Sequence, residues 1–198
     1  LIFSYSSSWV INNIRLFLDG RRISCVYLIG NGHFDASWEP GAHQIALVRR
    51  ICQAFDTQMI FQEPCINNAE REWLSQQNGI VFRDRPDVCL DVVGSDRNSV
   101  GIAVILHGVH GLLNDFLAFN WRSNLQNILL LCNDYRDIDL IGGTVETNSE
   151  FPALNFFRKH ARFIAFPEYC PNPSFFHDTS LAYLESGISL PELAALDR

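Results

Sequence analysis

The feature that most constrains this chain is a repeated change of period. Short, largely apolar runs at Ile23–Ile29, Ile102–Leu106 and Asn127–Leu131 alternate with stretches whose apolar residues recur every three or four positions. A strand that is apolar without alternation is buried on both faces, and a helix with one apolar stripe must lay that stripe against something. Together they predict an α/β, Rossmann-like three-layer sandwich: a mostly parallel sheet of about six strands with helices on both faces. At 198 residues a single domain is expected, with a lead-in at 1–21, a core at 22–167 and a tail at 168–198.

Local signals place the elements. The first strand, Ile23–Ile29, runs into Gly30-Asn31-Gly32. Pro40 suits the first turn of a helix to Phe55, whose stripe is Ile45, Val48, Ile51 or Cys52, and Phe55. Gln58–Phe61 reads as a second strand with Glu63 at its carboxyl end. Asn67 and Glu70 have the spacing of a capping box for a helix to Gln77, with Gly79 as its C′ residue. A third strand lies near Ile80–Phe82, followed by a polar loop from Arg83 to Ser99. Ile102–Leu106, a helix Val109–Phe119 and Asn127–Leu131 follow; Ile141–Ser149 reads as loop, Glu150–His160 as helix and Arg162–Phe166 as the last strand. Tyr5, Ser6, Ser7 and Ser8 read as a polar lead-in, and the proline-containing tail after Pro167 is expected to wrap over the surface.

Composition narrows the function classes. With 47% hydrophobic and 19% charged residues the chain lies far from the disordered regime. A net charge of −7 and the absence of a basic stripe argue against a nucleic-acid partner. No apolar run approaches the ~18 residues of a membrane span, and the start lacks the positive region of a signal peptide, so a cytoplasmic or nuclear location is expected. The chain does not begin with methionine, which leaves a removed targeting segment open. Six cysteines are scattered without a C-x-x-C pair, which points to reduced thiols and not to a zinc knuckle. No G-x-S-x-G elbow and no Walker A motif occurs.

In open parallel sheets, ligands sit beyond the carboxyl ends of the strands, where strand order reverses. The assignment above brings Gly30, Asn31, Gly32, Glu63, His107, Asn133 and Asp134 to that edge. Gly30-Asn31-Gly32 is either a phosphate-approaching turn or an ordinary strand-to-helix turn, since the third glycine of the dinucleotide pattern is missing. Glu63 stands where such folds bind ribose hydroxyls, or is a solvated loop carboxylate. His107 is the candidate general acid or base. His107 and His110 suggest a metal pair only if His177 or Asp178 supplies a third ligand through the fold, so no metal site is assigned. Cys170-Pro171 is a dipeptide of a kind seen with thiolate haem ligands, and it also arises by chance.

The run from Leu106 to Trp121, with His107, Leu113, Asn114, Asn120 and Trp121, resembles the SRR-like ("sensitivity to red light reduced") family. Tyr27–Gly32 is similar to that family's Tyr-Gly-Leu-Gly segment, and Gln44, Ala46 and Leu47 to its next helix. Glu63-Pro64 resembles its Asp-Pro, Glu70 a downstream glutamate, Leu131–Tyr135 its Gly-Asn-Ser-Phe, and Phe176–Ser180 its Phe-Asn-Asp-Thr-Ser. Gly108, Asp134 and His177 depart from the cysteine, serine and asparagine common there. The resemblance implies a regulatory protein, of a family linked to light and circadian signalling and to haem metabolism. It implies that Asn114, Asn120, Trp121, Asn133, Asp178 and Thr179 contribute to one ligand site. Three readings stand: a regulator with a small ligand, haem included, at the strand ends; a transferase with a nucleoside cofactor held by Glu63; and a module that binds protein partners without chemistry.

Overall fold

The computed structural model describes residues 2–85, 98–121, 123–136 and 150–193. Its elements are α1 (Ile2–Leu18), β1 (Arg22–Ile29), α2 (Pro40–Phe55), β2 (Met59–Gln62), α3 (Asn68–Ser75), β3 (Ile80–Phe82) and β4 (Ser99–Ile105). They continue with α4 (His110–Phe119), β5 (Ile128–Asn133), α5 (Pro152–His160), β6 (Ala161–Ala165) and β7 (Thr179–Leu184), with 3-10 turns at Ser123–Asn127 and Pro173–Phe176. The strands form one sheet in the order β3-β2-β1-β4-β5-β7-β6. The pairs from β3 across to β5 are parallel, whereas β7 runs antiparallel to both β5 and β6. The sheet is therefore mixed, and it has seven strands where about six were expected.

Period two along the central strands splits the core into two layers. Val26 and Leu28 of β1, Ile102 and Val104 of β4, and Leu129 and Leu131 of β5 join a cluster with α1, α2 and α3. Tyr27 and Ile29, Ala103 and Ile105, and Leu130 and Cys132 join the other, with α4 and α5. Burial pushes the Cys52 thiol up to about 12 and the Cys132 thiol higher still, so both behave as small apolar side chains. Among the described residues no helix is long and apolar enough to cross a membrane.

Two segments depart from expectation. The polar lead-in is the helix α1, because Val10, Ile14 and Leu18, four apart, form a stripe that enters the first core layer and carries Ser6 and Ser7 inward with it. The tail does not stay on the surface throughout: Pro167–Ser174 is largely exposed, but a strand follows it. Its prolines stop short of Thr179–Leu184, which is buried along nearly its whole length and inserts between β5 and β6. Smaller differences are that β4 begins at Ser99, β2 and β5 lie one or two residues further on, and the strand expected at Arg162–Phe166 is β6, Ala161–Ala165. Asn67 and Glu70 do form the capping box of α3, but the helix ends at Ser75 with Gln76 as its cap. Gly79, at φ +81°, instead turns the chain into β3. Most of the Arg83–Ser99 loop and the whole of the Ile141–Ser149 loop lie outside the described residues, as does Cys89.

Ile14 is fully buried in α1. Ile14→Ala should therefore cost about 2–5 kcal/mol in urea unfolding, the range for removing a core isoleucine. A change under about 0.5 kcal/mol, typical of surface positions, would show that α1 is not part of the core.

Candidate functional site

The sheet reverses its winding between β1 and β4. From β1 the chain moves outward through α2 to β2 on one side, and from β4 through α4 to β5 on the other, so the two exit loops diverge from adjacent strand ends. Leu28 pairs with Val104, which brings Gly30 level with the turn after β4. Leu112 of α4 packs against both exit loops: its Cδ2 lies 3.4 Å from a Cβ built on Gly30 and 3.3 Å from one built on Gly108.

His107 sits at the lip with φ +53°, a left-handed conformation costing a non-glycine residue on the order of 1–3 kcal/mol. Two contacts hold it there. Its backbone N–H donates to Asn133 Oδ1 at 2.8 Å, and its Nε2 lies 3.1 Å from the Phe175 carbonyl oxygen. A carbonyl only accepts, so Nε2 carries the proton, and Nδ1 has no partner among the described residues. Asn133 also donates to the Gly108 carbonyl at 3.5 Å, binding the end of β5 to the same turn. The Phe175 carbonyl accepts from Gln44 of α2 as well, at 3.4 Å.

The opposite lip is the loop after β1. Gly30 and Gly32 have φ of +66° and +68°, which glycine alone adopts without strain. Glu63, nearly buried, accepts from Gly32 N–H at 2.8 Å through Oε2 and from Cys65 N–H at 2.9 Å through Oε1. Asn31 is 5% exposed and donates to the Gly32 and Gly41 carbonyls. Its Oδ1 is buried without a partner among the described residues. Gly41 must be glycine, since a Cβ there would lie 2.4 Å from the His33 carbonyl oxygen. The loop and the first turn of α2 are thus in backbone contact.

Glu70 anchors the far end of that loop. Its buried carboxylate accepts from Phe34 N–H at 2.6 Å, Asn67 N–H at 2.8 Å and His33 Nδ1 at 3.1 Å. Burial pushes this carboxyl up, but the Asn67 and Phe34 amides and the His33 imidazole outweigh burial and hold it below the usual range. The hydrogen bond to Glu70, and then its charge, raise the exposed His33 above its ordinary value. Sequence reading found Glu70 as a cap; its reach to a loop 36 residues away is a property of the fold.

The remaining expected site residues divide. Thr179, buried at the start of β7, pairs with Asn133 beside the crevice, and the neighbouring Asp178 is exposed, at φ +47°, with its carboxylate 2.8 Å from His177 Nδ1. Asn114 lies elsewhere: its Oδ1 accepts from Ala153 and Leu154 N–H at 3.1 and 3.3 Å and so caps α5. Asn120 is buried with its amide on the Phe116 carbonyl, closing α4, and Trp121 donates to the Pro191 carbonyl. His110 turns to the other layer, between Tyr135 and Phe151, away from the Phe175 side where His107 points, and its Nδ1 is buried without a partner among the described residues. Within those residues no group of three His, Cys, Asp or Glu side chains is placed to hold a metal ion. Cys170 is an exposed free thiol in a turn. The neighbouring aromatics Tyr169, Phe175 and Phe176 are buried against one another and His43, which leaves no apolar face to seat a porphyrin, so the residues there do not fit haem.

The His33–Glu70 pair sets a pH dependence. Because the folded state raises the His33 pKa, its stabilisation is complete below the unfolded value of about 6.5 and is lost as pH rises through the folded value. Glu70 is ionised in both states over that interval, so the change belongs to His33. Thermal unfolding from pH 6 to 9 should show a decline in stability that His33→Gln removes; parallel curves for the two proteins would contradict the pairing.

The crystal structure of the 23S rRNA methyltransferase ErmE is similar with a TM-score of 0.43 at 13% identity, over 94% of this chain and 72% of that one. At those values the likeness bears on neither ligand nor reaction. No curated protein sequence matches the chain. The family model for the SRR1 domain matches residues 11–183, most of the chain, so this protein belongs to the SRR1-domain family.

Proposed function

We propose that this chain is a ligand-responsive regulatory protein whose small ligand lies in the crevice between the ends of β1, β4 and β5. The observation that carries the reading is His107. A strained, non-glycine residue is held at the switch point of the sheet by Asn133 and the Phe175 carbonyl, with Nδ1 left without a partner among the described residues. Strain kept at a strand end by surrounding hydrogen bonds is characteristic of functional sites. The buried Oδ1 of Asn31, in the loop after β1, is a second group, an acceptor that no donor among the described residues reaches. Exposed apolar side chains at Trp38 and Val109, on the two exit loops, suit a ligand with an apolar part.

In this reading Gly30, Gly32 and the His107–Gly108 turn line the ligand, His107 Nδ1 accepts from it when the ring is neutral, and Asn133, Asp178 and Thr179 hold the turn from the β5 and β7 side. Asn114 and Asn120 support the site only through the placement of α4 and α5. The transferase reading with a nucleoside cofactor has less support. It needs Glu63 to accept ribose hydroxyls, and both Glu63 oxygens already accept loop amides.

Mass spectrometry of what the protein retains tests this directly. Protein purified from cells, desalted and then denatured should release one low-mass compound from the wild type, and at least about tenfold less from His107→Ala, corresponding to about 1.4 kcal/mol of binding. Recovery of that compound unchanged after incubation supports regulation; its conversion would favour the enzyme. Equal retention by His107→Ala, with both proteins folded, would remove the crevice as the site.

A further inference from the structure

We propose that the open cleft between α2 and α3 is a second binding site, for a planar apolar molecule that carries one negative charge. The cleft has a volume of about 410 Å³, within the range of small-molecule sites. Phe34 and Trp73 form an aromatic corner, their centroids 5.5 Å apart in an edge-to-face arrangement, and Ile45 and the alanines Ala42, Ala46 and Ala69 leave the space beside them. This is a wall for a flat ring, since an aromatic ligand meets one face and one edge.

The charge comes from Arg49. Its guanidinium lies over the Trp73 ring at 5.5 Å and is partly buried, yet no carboxylate or carbonyl of the described residues accepts from it. A guanidinium has five N–H donors, and a fork beside an apolar wall is suited to a carboxylate or sulfonate. The two acids that line the cleft are already engaged. Glu70 is buried under three donors, and Asp35 accepts from Asn67 at 3.0 Å. A guanidinium that stands over an indole with no ion pair among the described residues, while the nearby acids Asp35 and Glu70 are held by other donors, is free to meet an anion.

The cleft is distinct from the strand-end crevice and does not depend on it. The two meet through one loop: Gly30, Asn31 and Gly32 face the crevice, Phe34 and Asp35 the cleft, and Glu63 and Glu70 each hold an amide between them.

Anilinonaphthalene sulfonate, a flat ring system with one negative charge, and N-phenylnaphthylamine, the same rings without the charge, separate the elements of this proposal. Fluorescence titration of the folded protein should give saturable binding of both. Arg49→Met should weaken the sulfonate about tenfold, as expected for losing a charge-assisted hydrogen bond, and the neutral amine by less than about twofold. Lys159→Met, on α5, should change neither. Ala46→Phe fills the cleft and should abolish both while the circular dichroism stays native; Ala69→Leu serves if that variant does not fold. Unchanged sulfonate affinity in Arg49→Met, equal loss of both probes in that variant, or full binding by the folded, filled variants would overturn the proposal.

Discussion

The structure depends on the burial of β1 on both faces. Val26 and Leu28 face one layer and Tyr27 and Ile29 the other, so helices must cover both sides, and the chain must leave β1 in one direction and β4 in the opposite one. That divergence opens a crevice at the carboxyl edge without any residue being placed there to make it. Apolar residues thus set where the strand ends diverge, and polar residues stand at that edge.

What those polar residues do first is hold backbone. Glu63 and Glu70 are both buried carboxylates, and among the described residues each hydrogen bond they accept, apart from that of His33, comes from a backbone amide of the loops around β1, β2 and α3. A buried carboxylate without such donors would be strongly destabilising, so these loops are fixed as firmly as the acids require. His107 is fixed in the same manner from the other side, by Asn133 and by a carbonyl 68 residues away. A turn held in this way would need little reordering to accept the ligand proposed above.

Local chemistry explains which parts of this were legible in the sequence. The helix from Pro40 to Phe55 and the strand Ile80–Phe82 were readable because proline, period and turn residues mark their ends. The capping box at Asn67 and Glu70 was readable from spacing alone. The helix α1 was hidden behind three serines, although Val10, Ile14 and Leu18 carried its stripe. The strand β7 was hidden by the prolines before it, which break the connection and not the strand. Placement of Gly30, His107 and Asn133 at one edge followed from strand ends, whereas Phe175 as the partner of His107, and Asn114 as the cap of α5, depend on contacts across long stretches of chain. The α2–α3 cleft has no sequence signal, because Arg49 and Trp73 meet only when two helices pack.

The central claim is that small molecules bind at the strand-end crevice, and amide chemical shifts report on it most directly. In a fragment screen by nitrogen-15 NMR, the account predicts hits whose shifts concentrate on the amides of Gly30, Gly32, His107, Gly108 and Asp134, and which Asn133→Ala weakens by releasing the His107 turn. Fragments that bind the protein but leave those five amides unmoved, or that bind there equally well in Asn133→Ala, would contradict it.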